Sequence, residues 1–214
     1  MKDIPKGAVR SILRAIEERI VYPWAASRGW RPSSLRPVKL EDLKWTFGYE
    51  DEAAIKRAVT IVAPYTIVSL DRLASLWWQI HYLDRVKIPG ALVECGVRMG
   101  GSAALMALAH MASGKPYRTL HLFDSFTHMP DPTEMDGTAA LADAKAADGW
   151  RDWHYPEQVS QGLIVDGVGY PQALVRQHVG WFKDTLPNDA RSIGPVALLR
   201  LDGDWYDSTK LCLD

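Results

Sequence analysis

Pro89-Gly90-Ala91-Leu92-Val93-Glu94-Cys95-Gly96-Val97-Arg98-Met99-Gly100-Gly101 is the stretch where the chain changes character. Residues 91–97 are a short apolar run broken by a glycine, and Gly100 and Gly101 open an Ala/Leu/Met-rich stretch to Met111 with helical composition. Residues 119–124, Thr-Leu-His-Leu-Phe-Asp, are the next apolar run, closed by an acid and a turn. Strand, glycine turn, helix, strand is a βαβ unit, and such units build parallel sheets with right-handed crossovers. Residues 173–180 and 195–202 read as a third and a fourth strand. The expected fold is α/β, a doubly wound Rossmann-like sheet.

Upstream of Pro89 the pattern is helical. Val9, Ile12, Leu13, Ile16 and Ile20 form one stripe within residues 4–22, with Arg10, Arg14, Glu17, Glu18 and Arg19 on the other face. Mixed charge signs argue against a membrane-surface helix and for one packed on its own chain or in a homo-oligomer. Residues 23–37, rich in Pro, Ser and Arg and anchored by Trp24 and Trp30, read as a connector. A second helix is expected to start near Asp51 and Glu52, where acids suit the positive end of the helix dipole. A third starts near Ser69, with Leu73, Leu76, Trp77, Ile80 and Leu83 on one face. The expected division is therefore a helical region, residues 1–88, and a cofactor-binding α/β domain, residues 89–214.

Downstream of the second strand, residues 127–156 are rich in Asp, Ala, Pro and Trp, with a helical stretch near 139–147. That is long for a structureless loop, so a lid or insertion is expected there. Residues 159–170 suit the next crossover helix. A doubly wound sheet usually has five or more strands and this chain supplies four, so its completion is expected past Asp214.

Composition bounds the function. Apolar residues make up 47% and charged residues 24%, an ordinary globular balance. A net charge of −1 without a Lys/Arg-rich run argues against a nucleic-acid partner. The sequence has no apolar stretch of membrane-spanning length and no signal-peptide core. The six histidines form no zinc-binding pattern, and Cys95 and Cys212 read as buried free thiols of a reducing, cytoplasmic compartment.

Parallel strands point their carboxyl ends at the ligand crevice, and three of the four carry an acid there: Glu94, Asp124 and Asp202. Residues 94–101 have neither the Gly-x-Gly-x-x-Gly spacing of dinucleotide binders nor the Gly-Lys-Ser/Thr of a phosphate loop. Glycines 96, 100 and 101 still permit close backbone approach at a helix N-terminus, which favours a ligand carboxylate, while Glu94 can pair with an ammonium. A ligand with both groups at one end is an amino acid, and S-adenosylmethionine ends in one. The alternative is a plain strand-to-helix turn. Asp124 suits a ribose diol, or else a turn with Ser125 and Pro130. Trp181 and Phe182 after Gly180 can sandwich an adenine or serve as core. Asp202 and Asp204 flank Gly203 and can present two oxygens to Mg²⁺, or cap the following helix.

Four segments, taken in order, resemble the macrocin O-methyltransferase (TylF-like) family: residues 93–101, residues 123–126 with Pro130, residues 180–187, and Leu-Leu-Arg-Leu-Asp-Gly-Asp-Trp-Tyr-Asp-Ser-Thr at 198–209. Residues 64–72 resemble the segment that precedes the sheet in that family. The resemblance covers residues 60–214 and implies S-adenosylmethionine- and Mg²⁺-dependent methylation of hydroxyls, mainly on sugars of bacterial natural products. It implies that Glu94 and Gly96 hold the amino-acid end of the cofactor, helped by Gly100, Ser102 and the stretch from Thr66 to Ser69. Asp124, with Ser125 beside it, would bind the ribose, and Gly180, Trp181 and Phe182 would line the adenine pocket. Asp202 would be the first metal ligand and Asp204 the general base. The remaining metal ligands of the family, an acidic pair after the next strand, are expected past Asp214. Competing readings are a catalytically inert cofactor-binding or interaction module and a nicotinamide-dependent oxidoreductase. The latter would need tighter glycine spacing and a Tyr-x-x-x-Lys pair.

Overall fold

The computed structural model describes residues 52–114, 118–144 and 154–214. In chain order the elements are helix α1 (Glu52–Val62), helix α2 (Leu70–Arg85), strand β1 (Ala91–Cys95), helix α3 (Gly101–Ala112), strand β2 (Leu120–Asp124) and helix α4 (Gly137–Asp143). Helix α5 (Glu157–Gly162), strand β3 (Val175–Val179), helix α6 (Phe182–Asp189), strand β4 (Val196–Leu201) and helix α7 (Tyr206–Leu213) follow. All four expected strands form, each slightly shorter than its apolar run. The helix expected at residues 4–22 and the connector at 23–37 lie outside the described residues. The crossover helix expected at 159–170 is α5 followed by a widened π turn at Leu163–Gly167.

The strands pair in parallel in the order β3-β2-β1-β4. The chain therefore runs outward from β1 through β2 to β3, then crosses back to lay β4 on the other side of β1. That reversal is the topological switch point, where open α/β sheets take their ligands outside the carboxyl ends of the strands. Glu94 in β1 stands opposite Arg200 in β4 in the register.

The chain forms two compact units. One gathers the described residues of Met1–Ile88 with Met99–Tyr117 and Gln158–Gln172. In it, Leu73, Leu76, Trp77 and Ile80 of the expected α2 stripe are buried and Leu83 is half-buried, and α3 is buried on nearly every side, as its all-round apolar composition requires. His110 of α3 and Asp84 of α2 meet at 2.8 Å, both essentially buried, so the polar groups in this interface satisfy each other. Gly101 is needed because a Cβ there would sit 2.7 Å from the Tyr65 carbonyl oxygen and 2.7 Å from the Thr66 Cβ.

The other unit comprises Pro89–Arg98, Arg118–Glu157 and Ala173–Asp214 and contains the whole sheet. One face presents Ala91, Val93, Cys95 and Phe123, against which Phe182, Leu186, Ile193 and Cys212 pack. That layer seats α6 and α7 and fixes the direction in which the loop between β4 and α7 leaves the sheet.

Candidate functional site

At the switch point the strands bring together Glu94, Arg200 and Asp202. Glu94 is fully buried and accepts a hydrogen bond from Arg200 Nη1 at 2.7 Å. Arg200 Nη2 donates to Asp202 Oδ2 at 2.9 Å, so one guanidinium joins a buried carboxylate to an exposed one. Burial opposes the charge on Arg200, but Glu94 and then Asp202 outweigh it and hold the guanidinium more basic than usual. Arg200 is a residue that sequence reasoning missed. Its role depends on β1 and β4 being neighbours, which no local pattern announces. Gly96 has φ +92°, and a Cβ on it would collide with the Asp202 backbone carbonyl; the Asp202 N–H donates to the Cys95 carbonyl at 2.8 Å. The glycine is thus demanded by the close approach of the β1 and β4 ends.

Asp204 follows in a left-handed conformation, φ +54°. Part of its surface meets solvent, yet burial on the protein side and the charge of Asp202 push its carboxyl above the ordinary range. Two carboxylate side chains flanking Gly203 are hard oxygen donors, the chemistry that suits Mg²⁺. Among the described residues no group of three or more His, Cys, Asp or Glu converges to hold a metal ion, and Asp202 is engaged by Arg200. The pair is of the right donor type for a hard cation but by itself supplies too few ligands to enclose one.

Asp124, at the end of β2, clamps the turn after β1. Its Oδ2 accepts from the backbone N–H groups of Val97 (2.6 Å) and Arg98 (2.8 Å), and its Oδ1 from that of Phe126 (2.8 Å). Arg98 and Phe126 both have positive φ, 55° and 53°, a strained state for non-glycine residues that these hydrogen bonds stabilise. Ser125 donates to the His128 carbonyl at 3.1 Å and accepts from the Thr127 N–H at 3.3 Å, forming the turn.

After β3, the Gly180 N–H donates to the Asp124 carbonyl at 2.9 Å, which places residues 180–182 beside the end of β2. Trp181 is half-buried and meets His128 edge to face, with centroids 5.4 Å apart. Phe182 packs on the sheet face with Phe123 and Cys95 and so serves the core.

The segment expected as a lid is fastened at both described ends. Trp205 Nε1 donates to the Pro130 carbonyl at 2.8 Å, and the Tyr206 N–H donates to Asp136 Oδ1 at 2.7 Å. At the far end, Tyr155 lies under the Arg98 guanidinium, 4.8 Å from centroid to Cζ, and its hydroxyl accepts from Nη2 at 3.2 Å. The turn after β1 is therefore tied to Tyr155, and the loop after β4 to Pro130 and Asp136. Residues 145–153 lie outside the described residues.

The remaining candidates belong to the helical unit. Thr66 Oγ1 accepts from the Val68 N–H at 3.1 Å, Ser69 hydrogen-bonds to Asp71, and Ser102 is buried in the first turn of α3. Gly100 has φ +86°, and a Cβ there would lie 2.6 Å from that of Ser160.

An open parallel sheet of this order, with a glycine turn after its first strand and acids at three strand ends, defines the Rossmann-like α/β class of cofactor-binding folds. Residues 46–214 match the macrocin-O-methyltransferase (TylF) family, and the chain belongs to that family. It is 35% identical over 158 residues to the 8-demethyl-8-(2,3-dimethoxy-alpha-L-rhamnosyl)-tetracenomycin-C 4'-O-methyltransferase of Streptomyces olivaceus, covering 70% of this chain and 56% of that protein. It is also 35% identical over 148 residues to the demethyldecarbamoylnovobiocin O-methyltransferase of Streptomyces niveus, covering 68% of this chain and 54% of the relative. The chain thus spans a little over half the length of these curated relatives. Among solved structures, the O-methyltransferase NovP superposes with a TM-score of 0.59 at 34% identity, over 70% of this chain and 60% of its own. The calicheamicin methyltransferase CalS11, at 18% identity and TM-score 0.52, shares the fold over 83% of this chain and 76% of its own. Among the described residues no helix is long and apolar enough to cross a membrane.

Proposed function

We propose that this chain carries the cofactor site and part of the catalytic site of an S-adenosylmethionine-dependent O-methyltransferase. Its acceptor would be a hydroxyl on the sugar of a bacterial natural product. The observation that supports this best is the charge at the carboxyl edge of the sheet. Glu94, Asp124, Asp202 and Asp204 gather there, and Arg200 is the cation between Glu94 and Asp202. An acid-rich edge favours a ligand bearing ammonium and sulfonium charges and disfavours the anionic pyrophosphate of a dinucleotide. The named relatives act on sugar-bearing natural products, which supports the acceptor class.

In this reading Glu94, with Gly96 at the strand end, faces the ammonium of the cofactor, and Asp124 reaches the ribose with the lone pair its clamp leaves over. Trp181 borders the adenine. S-adenosylmethionine supplies an electrophilic methyl group when bound. Asp202 would hold Mg²⁺, whose charge favours the alkoxide form of the acceptor. Asp204 takes the proton of the acceptor hydroxyl as general base. Residues 130–136 and Tyr155, tied to the two loops, keep water from the reacting atoms. The test is methyl transfer from labelled S-adenosylmethionine to a panel of glycosylated acceptors with free sugar hydroxyls. Asp204→Asn should lower the rate by about 10²–10⁴-fold with little change in cofactor affinity. A variant as fast as the parent would remove Asp204 from the base role.

A further inference from the structure

Glu94 and Arg200 stand opposite each other in the β1–β4 register, in the unit that contains the whole sheet. Glu94 is fully buried, and a buried carboxylate is stable only when a cation or several donors answer it. Arg200 supplies the cation through Nη1, 2.7 Å from Glu94 Oε1, while its Nη2 lies 2.9 Å from Asp202 Oδ2. A guanidinium is a planar, rigid fork, so its nitrogens cannot be aimed independently. Swinging Nη2 away from Asp202 would pull Nη1 off Glu94 and leave the buried charge poorly compensated. The hold on Asp202 is therefore stiffer than that of an ordinary surface ion pair. Backbone contacts complete it. The Asp202 N–H donates to the Cys95 carbonyl at 2.8 Å, the Trp205 N–H to the Gly203 carbonyl at 2.6 Å and the Tyr206 N–H to Asp136 Oδ1 at 2.7 Å.

We propose, resting on the reading of Glu94 as the partner of the cofactor's ammonium group, that Arg200 is a positioning residue. It couples that ammonium to the turn carrying Asp202 and Asp204. Without ligand the guanidinium is shared between two carboxylates. An ammonium arriving at Glu94 takes up part of its negative charge and repels the guanidinium, which shifts its hold towards Asp202.

Asp202 and, two residues on, Asp204 are then held more firmly once the methyl donor is in place. By linkage, a turn that is already fixed favours the bound cofactor to the same degree. A lysine at this position would keep the charge but, with a single nitrogen, would not hold two carboxylates in one fixed orientation.

The experiment measures amide hydrogen exchange at Asp202, Trp205 and Tyr206, with and without saturating S-adenosylhomocysteine, in the parent chain, Arg200→Lys and Asp202→Asn. The amides of Leu92 and Gly96, bonded to the Thr119 and Phe123 carbonyls, report global opening and serve as controls. In the parent, the ligand should slow the three turn amides about tenfold beyond the controls, the scale of one hydrogen bond to a charged group. Both variants should lose that effect while calorimetry still shows S-adenosylhomocysteine bound. Asp202→Asn leaves the Glu94–Arg200 pair intact, so it carries the test even where Arg200→Lys does not fold. Methylthioadenosine, which lacks the amino-acid end, should leave the turn amides unchanged. No slowing in a parent that binds the ligand, slowing of equal size in either folded variant, or slowing by methylthioadenosine would overturn the coupling and leave the cofactor reading standing. A folded parent that does not bind S-adenosylhomocysteine would overturn both.

Discussion

Asp124 commits both carboxylate oxygens to the backbone, accepting from Val97, Arg98 and Phe126. An ionised carboxylate has about four acceptor positions, so three filled ones leave room for one ligand hydroxyl. Asp124→Ala should therefore both loosen the turn and weaken S-adenosylhomocysteine binding by about 1–3 kcal/mol, the scale of hydrogen bonds to a charged group. Calorimetric titration reads this, and unchanged affinity in a folded variant would remove Asp124 from the ligand site. The position of this acid was legible from the sequence, because it closes an apolar run. Its clamp was not, since the N–H donors belong to a turn whose positive φ values fall on Arg98 and Phe126, where no glycine marks them. Glu94 was legible in the same limited way. Its partner Arg200 is 106 residues distant and appears only once β1 and β4 are known to be adjacent.

The strands were the easiest elements to read, because each is a short apolar run ended by a glycine or an acid. The stripe of α2 was equally plain, with Leu73, Leu76, Trp77 and Ile80 buried. The segment after β2 was harder. Its composition suggested a covering loop, but Thr133 and Asp136 form a capping box, and Asp136 then reaches Tyr206. Short polar contacts of this kind leave no periodic trace. Pro130, Asp136 and Tyr155 are tethered to the site loops, and we propose that the described residues around them, 127–144 and 154–156, cover bound ligand. Limited proteolysis should cut first within 127–156, and S-adenosylhomocysteine should slow the cut. Cleavage elsewhere, unaffected by ligand, would count against a lid.

At the scale of the molecule, a net charge of −1 conceals local structure. Asp189, His178 and His121 form a hydrogen-bonded chain across α6, β3 and β2, with contacts of 2.8 and 3.0 Å. Burial, then the neighbouring His178 and Arg176, pushes His121 down to about 4. The unfolded chain, with an ordinary imidazole, binds this proton more readily. His121 thus contributes stability that is present above about pH 6.5 and is lost as the pH falls towards 4, on the order of 3 kcal/mol in all. Denaturant melts at pH 7 and pH 5 should show the loss, and His121→Gln should flatten it; equal pH dependence in both proteins would refute the assignment. The acids at the carboxyl edge of the sheet are the other charge feature, and they carry the functional claim. The most direct test is calorimetric titration of the folded chain with S-adenosylhomocysteine and, separately, with NAD⁺. Saturable, one-to-one binding of S-adenosylhomocysteine with no binding of NAD⁺ is the predicted result. A folded chain that ignores S-adenosylhomocysteine, or that binds NAD⁺ in its place, would contradict it.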